Sequence, residues 1–297
     1  MRLDDYRTSE NVGDQRGQRF GGGGGLGGGF GLLLGLVGSR FGIGGVIVVV
    51  IGAILLGFNP LGGGGSGVVS QAPPTALGGT EAAQACAANP ESRFACQVLA
   101  STEDSWDQLF AASGARYQPA GLIFYDRRGQ SGCGAAQSAM GPFYCPTDSR
   151  IYLDTSFFQE LSQRFGAAGD FAQAYVIAHE VGHHIQGLTG TLESARAQRA
   201  RMSAAQGNAV QVRVELQADC YAGVWAARNR DRLEPGDVEE GMRAANAIGD
   251  DTLQKAAQGV VVPESFTHGT SEQRMAWLRR GLETGDPAAC DTFSSRI

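Results

Sequence analysis

Apolar positions follow different rules in different parts of the chain. Residues 41–58 read FGIGGVIVVVIGAILLGF, a run without charge or Pro that residues 37–39 extend. At about 1.5 Å per residue, a helix of this length nearly crosses a hydrocarbon core of about 30 Å, which predicts a transmembrane anchor over 37–58. Residues 21–29 are almost all Gly, and 59–79 read NPLGGGGSGVVSQAPPTALGG. Those compositions predict a Gly-rich tail over 1–36 and a flexible linker over 59–79. From 80 to 297 the pattern becomes that of a globular domain. Ala174, Tyr175, Ile177, Ala178, Val181 and Ile185 recur at helical spacing within 169–187, and 212–222 repeats that period. Short apolar runs at 122–125 (LIFY) and 150–153 (RIYL) read as strands. The expected fold is α+β, mainly helical, with a small sheet, preceded by a single transmembrane helix. A domain of roughly 200 residues can sustain its own core.

Charge orients the expected anchor. Arg2, Arg7, Arg16, Arg19 and Arg40 precede it, and no Lys or Arg follows until Arg93. The positive-inside rule then places the 1–36 tail in the cytoplasm and the 80–297 domain on the outer, periplasmic face of the cytoplasmic membrane. About forty residues precede the apolar run, too many for a usual signal peptide, so the anchor is expected to stay uncleaved. The net charge is -6, and no basic stripe interleaved with aromatics occurs, which argues against a nucleic-acid partner.

The six cysteines form no CxxC pair, which favours disulfides and an oxidising compartment over a zinc ribbon. Cys86–Cys96 and Cys133–Cys145 would close short loops, and Cys220–Cys290 follows by exclusion.

Chemistry concentrates in GDFAQAYVIAHEVGHHIQG (169–187). Four-residue spacing puts His179 and His183 on one helical face, where two imidazoles can bind one cation. Glu180 stands beside the open coordination position, where it can take a proton from water. A third protein ligand is needed, and no His stands five residues beyond His183. VRVELQADCYAGVWA (212–226) supplies a candidate: Glu215 and Asp219 lie one turn apart in an otherwise apolar strip, a costly placement for two carboxylates unless a cation or hydrogen bonds compensate. Glu215 is assigned as a metal ligand and Asp219 as the acceptor that orients a ligand imidazole. The adjacent His184 points about 100° away from His183 and reads as structural or rim-lining.

HEVGH followed by ELQAD resembles the gluzincin peptidases, especially the membrane-associated group with HExxH and a later ExxxD. More closely, the chain resembles the family called putative neutral zinc metallopeptidases, through MRLDDYRTSENVGDQRG, GPFYCPTD, IYLDTSFF and RFGAAGDFAQAYVIAHEVGHHIQ. The resemblance implies one catalytic zinc and a protein or peptide substrate. It also draws attention to FTHGTSEQR (266–274), because related membrane peptidases carry a His followed six residues later by Arg. Here these are His268 and Arg274, with Gly269 where those peptidases usually have Pro. Thr270 and Gln273 form a capping-box pattern that starts a helix just after His268. His268 is expected to donate to an oxyanion, and Arg274 to bind Asp219 or substrate. Gluzincin-like folds bind substrate along an edge strand beside the metal. The candidate edge is 138–144, with Ser138, Met140, Gly141 and Phe143 as substrate contacts.

The sequence therefore predicts a zinc-dependent endopeptidase in which Glu180 activates water. The rival expectation is an inactive, zinc-stabilised envelope binding module with the same ligands, from which only Glu180 and an open metal position distinguish the enzyme.

Overall fold

A computed structural model of the chain describes residues 1–18 and 77–297. A four-stranded sheet runs in the order β1 (Val12–Asp14), β2 (Gly121–Phe124), β6 (Arg150–Leu153), β5 (Phe143–Cys145). β1, β2 and β6 are parallel, and β5 closes the edge antiparallel to β6, with Tyr144 opposite Ile151. Every residue of β2 is buried, as suits a parallel strand covered on both faces. β3 (Arg128–Ser131) and β4 (Gly134–Gln137) form a separate hairpin. The Cys133–Cys145 disulfide ties its turn to the end of β5. Both strands expected from apolar runs are therefore present.

Helices α1 (Gly79–Ala87) and α2 (Pro90–Ala112) come first and are joined by Cys86–Cys96. After the sheet come α3 (Ser156–Phe165), α4 (Asp170–Leu188), α5 (Thr191–Arg199), α6 (Ala204–Arg228), α7 (Asp237–Ala247), α8 (Asp250–Gln258) and α9 (Ser271–Thr284). The core is built around α4 and α6, both buried over most of their surface. α9 lies on α6 so closely that a Cβ on Gly281 would fall 1.9 Å from the Cys220 carbonyl oxygen, so only Gly fits there. The third disulfide, Cys220–Cys290, joins α6 to the chain beyond α9 at this crossing. All three expected pairings are present. Asp170 is the first residue of α4, and Gly169 holds the cap position without a side-chain hydrogen bond.

The chain start corrects an expectation. Residues 1–18 are no free tail: Val12, Gly13 and Asp14 pair with Leu122, Ile123 and Phe124 of β2, and Met1 and Leu3 are 3% and 1% exposed. The terminal ammonium of Met1 lies 2.6 Å from Asp170, 3.1 Å from Asp237 and 3.3 Å from Glu234. It supplies the cation for an acidic group that Asp170 and Asp237 form with Glu240. DDYRTSENVGD offers only Tyr6 and Val12 as apolar positions, six residues apart, so no period marked it as a strand; the sheet edge of β2 selects it instead.

The anchor expected at 37–58 and nearly all of the expected linker lie outside the described residues. Among the described residues no helix is long and apolar enough to cross a membrane. β1 and β2 share one sheet, which holds residues 1–18 and 77–297 together in one folded unit.

Candidate metal centre and its cavity

α4 and α6 cross at Gly182, where a Cβ would lie 2.9 Å from the Ala218 carbonyl oxygen. That close approach brings the HEVGH turn of one helix against the ELQAD turn of the other. Glu215 Oε2 lies 3.3 Å from His179 Nε2 and 3.4 Å from His183 Nε2. Ligands about 2.0–2.1 Å from a tetrahedral zinc sit about 3.3–3.4 Å from one another, so Glu215 stands at ligand spacing from both imidazoles, and all three donor atoms lie within 4.8 Å of one another. Two imidazoles and one carboxylate also form a donor set that suits zinc. The residues present fit the ion that the sequence implies, and His179, His183 and Glu215 are a group able to hold a metal.

The other ring nitrogens are fixed. His179 Nδ1–H donates to Asp219 Oδ1 at 2.8 Å, and His183 Nδ1–H to Gln186 Oε1 at 2.8 Å. Gln186 is oriented in turn because its amide donates to the Val214 carbonyl at 2.7 Å and to Gln217 Oε1 at 3.0 Å. Both Nε2 atoms are left facing Glu215, the tautomer that a metal requires. Asp219 also receives Tyr175 Oη at 2.6 Å, and Arg274 through Nε and Nη2, each at 2.9 Å. Burial would raise the Asp219 carboxyl, but Arg274 and His179 outweigh it and hold it down to about 2. Glu215 is likewise held well below the usual range: burial opposes this, and His183 and His179 prevail. Glu180 goes the other way. Burial pushes its pKa up, against the pull of both histidines.

These groups open onto a cavity of about 480 Å³. His179, Glu180, His183, Glu215, His268 and Arg274 line it, with Met140, Gly141 and Phe143 along the β5 side. The sequence-derived site thus assembles almost whole. Arg274 is 2% exposed and binds Asp219, the first of its two expected roles. The Thr270–Gln273 capping box starts α9 as expected. Ser138 is a correction: it does not line the cavity. Its hydroxyl donates to Asp154, and 138–140 form a 3-10 turn, so the edge strand is only Phe143–Cys145. His184 is structural, with one ring nitrogen donating to the Gln118 carbonyl at 2.6 Å and the other accepting from Tyr144 Oη at 3.2 Å.

Three further residues belong to the site. Asp250, at the start of α8, accepts backbone N–H groups from Thr267, His268 and Gly269 and lies 3.2 Å from His268 Nδ1. It fixes the His268 loop and holds the ring through Nδ1. Burial works against protonation of His268, but Asp250 and Glu215 outweigh it, and its pKa is raised. Gln186, three residues beyond His183, was findable by helical spacing. Gln211, whose amide donates to Glu215 Oε1 at 2.8 Å, lay one helical turn before that ligand.

Fold and site together define a mainly helical α+β protein with a two-histidine, one-carboxylate cation site beside a buried glutamate. The family model described as "putative neutral zinc metallopeptidase" matches residues 1–293, and the chain belongs to that family. It is 51% identical over 208 residues to "Uncharacterized protein YpfJ" of Escherichia coli strain K12, covering 69% of this chain and 72% of that protein. It is 41% identical over 261 residues to "Uncharacterized protein Mb2605" of Mycobacterium bovis, covering 82% and 85%. "Uncharacterized protein Rv2575" of Mycobacterium tuberculosis strain H37Rv gives the same figures. No solved structure matches.

Proposed function

We propose that the chain is a zinc-dependent endopeptidase whose general base is Glu180. The observation that carries this reading is the spacing of His179 Nε2, His183 Nε2 and Glu215 Oε2, with Glu180 at the same cavity wall. Zinc held there supplies Lewis-acid chemistry, polarising a peptide carbonyl and acidifying a water molecule. Glu180 accepts the proton of that water and returns it to the leaving amine. His268, anchored by Asp250 through Nδ1, lines the cavity and serves as a donor to the oxyanion that forms on the attacked carbonyl. Asp219 and Arg274 touch no substrate in this scheme; they position His179. The free edge of β5, carrying Phe143 and Tyr144 at the cavity rim, aligns an extended substrate through backbone hydrogen bonds.

Membrane attachment through 37–58 rests on sequence alone. We add to it the constraint of the sheet: residues 1–18 and the catalytic domain lie on one membrane face, and the disulfides favour the oxidising one.

The proposal is tested by incubating zinc-loaded full-length protein with a broad peptide library and reading cleavage by mass spectrometry. Cleavage abolished by a chelator and restored by zinc is expected. A library left intact by zinc-replete protein counts against it and favours the binding module.

A further inference from the structure

One end of the cavity is built from α5, which the mechanism does not use. Leu192 and Ala195 of α5 and Val214 of α6 form an apolar wall there, and Arg196 and Arg199 follow it along α5. Arg199 is half-buried. Its Nη1 donates to Gln211 Oε1 at 2.5 Å, and the Gln211 amide donates to Glu215 Oε1 at 2.8 Å. Its guanidinium therefore sits two hydrogen bonds from a carboxylate whose other oxygen faces the metal position.

The charges of the cavity do not balance at this end. Arg274 is matched by Asp219, and Glu215 faces the two histidines. Arg199 and Arg196 have no carboxylate within ion-pair distance among the described residues. Burial lowers the Arg199 pKa, with only the more distant Glu215 acting the other way. A half-buried guanidinium spends part of its fork on Gln211 and keeps the remainder for an anion, and the planar fork matches a carboxylate.

We propose that Arg199 determines specificity. It receives a carboxylate that the substrate presents close to the scissile bond, as an acidic side chain or a chain terminus, next to an apolar residue seated against Leu192, Ala195 and Val214. This assignment rests on the peptidase reading of the same site. Gln211 couples the two: it links the guanidinium that binds substrate to the Glu215 carboxylate, so the carboxylate lands at a fixed distance from the metal position. Arg196, exposed at the rim, adds positive potential without a fixed geometry.

The test uses full-length protein and matched peptides with an apolar residue on either side of the cleaved bond. One series varies Glu against Gln one or two residues beyond it, and a second ends in a free carboxylate or an amide at the same positions. The kcat/KM ratio of charged over neutral partner is expected to exceed about 10-fold in wild type. It should fall to near one in Arg199→Gln and keep part of its size in Arg199→Lys, both at zinc content equal to wild type. The series showing the larger ratio identifies the carboxylate as side chain or terminus. A wild-type ratio near one, or a ratio unchanged in Arg199→Gln, overturns the assignment. Calorimetric binding of the same peptides to zinc-loaded Glu180→Gln separates this from failure of the peptidase reading. Tighter binding of charged peptides that vanishes on adding Arg199→Gln supports Arg199 even if nothing is cleaved. Cleavage without any charge preference sinks the Arg199 assignment alone.

Discussion

Asp219 Oδ1 accepts His179 Nδ1–H at 2.8 Å while its Oδ2 takes Arg274 Nε at 2.9 Å, so one buried carboxylate joins the metal-facing helix to α9. Each partner depends on the other. Without Arg274 the buried carboxylate would lose the guanidinium that balances its charge; without the carboxylate, nothing selects the His179 tautomer that turns Nε2 to the metal. Asp219→Asn keeps the shape but loses the charge. It should weaken zinc binding by about 10–100-fold. Asp219→Ala should in addition destabilise the domain by about 3–5 kcal/mol by stranding a buried guanidinium. Competition with a chelator of known affinity and chemical denaturation measure the two effects. Unchanged zinc affinity in Asp219→Asn would contradict the positioning role.

A second prediction concerns protons. In metal-free protein His179 stands between Asp219 and Glu215. Burial opposes its protonation, but the carboxylates outweigh burial and push its pKa from 6.5 up to about 9. The stabilisation due to that bound proton is complete below 6.5 and is lost as pH rises through about 9. Zinc must displace the proton, so zinc affinity should rise over the same interval. Calorimetric titration of zinc at pH 7 should show a heat that scales with the ionisation enthalpy of the buffer. A heat independent of buffer would contradict the raised pKa.

Legibility in the sequence followed distance along the chain. HEVGH, ELQAD and the Thr270–Gln273 box carry their geometry in spacings of three or four residues, which helical periodicity converts directly into a shared face. β2 and β6 were readable as short apolar runs, and the disulfides as loop closures plus one remaining pair. Asp250 was invisible because it meets His268 across 18 residues and a helix, with no periodic relation. Ser138 was misplaced because a strand and a 3-10 turn look alike in QSAMG. β1 was missed for a different reason: its partner β2, rather than its own composition, selects the strand.

The N-terminal strand gives a third prediction. Leu3→Ala should cost about 2–5 kcal/mol of stability for the whole catalytic domain, as expected of a buried leucine rather than a tail residue. Denaturation of wild type and variant measures it, and an unchanged midpoint would contradict the packing.

The proposed sidedness rests on the same strand. Glu10 and Glu283 are both exposed, one beside β1 and one at the end of α9. Variants Glu10→Cys and Glu283→Cys, each adding one free thiol to a chain whose six native cysteines are paired, should be labelled alike by a membrane-impermeant thiol reagent in intact cells. Labelling of one and protection of the other would mean that β1 leaves the sheet in the membrane-bound protein.

The central claim is that Glu180 acts on water beside a zinc held by His179, His183 and Glu215. Glu180→Gln preserves shape and leaves those three donors intact, removing only proton acceptance. Turnover of a cleavable peptide by wild type and Glu180→Gln, at equal measured zinc content, tests the claim most directly. The account predicts equal zinc and a loss of at least about 100-fold in kcat. Equal turnover at equal zinc would place the chemistry elsewhere and contradict the account.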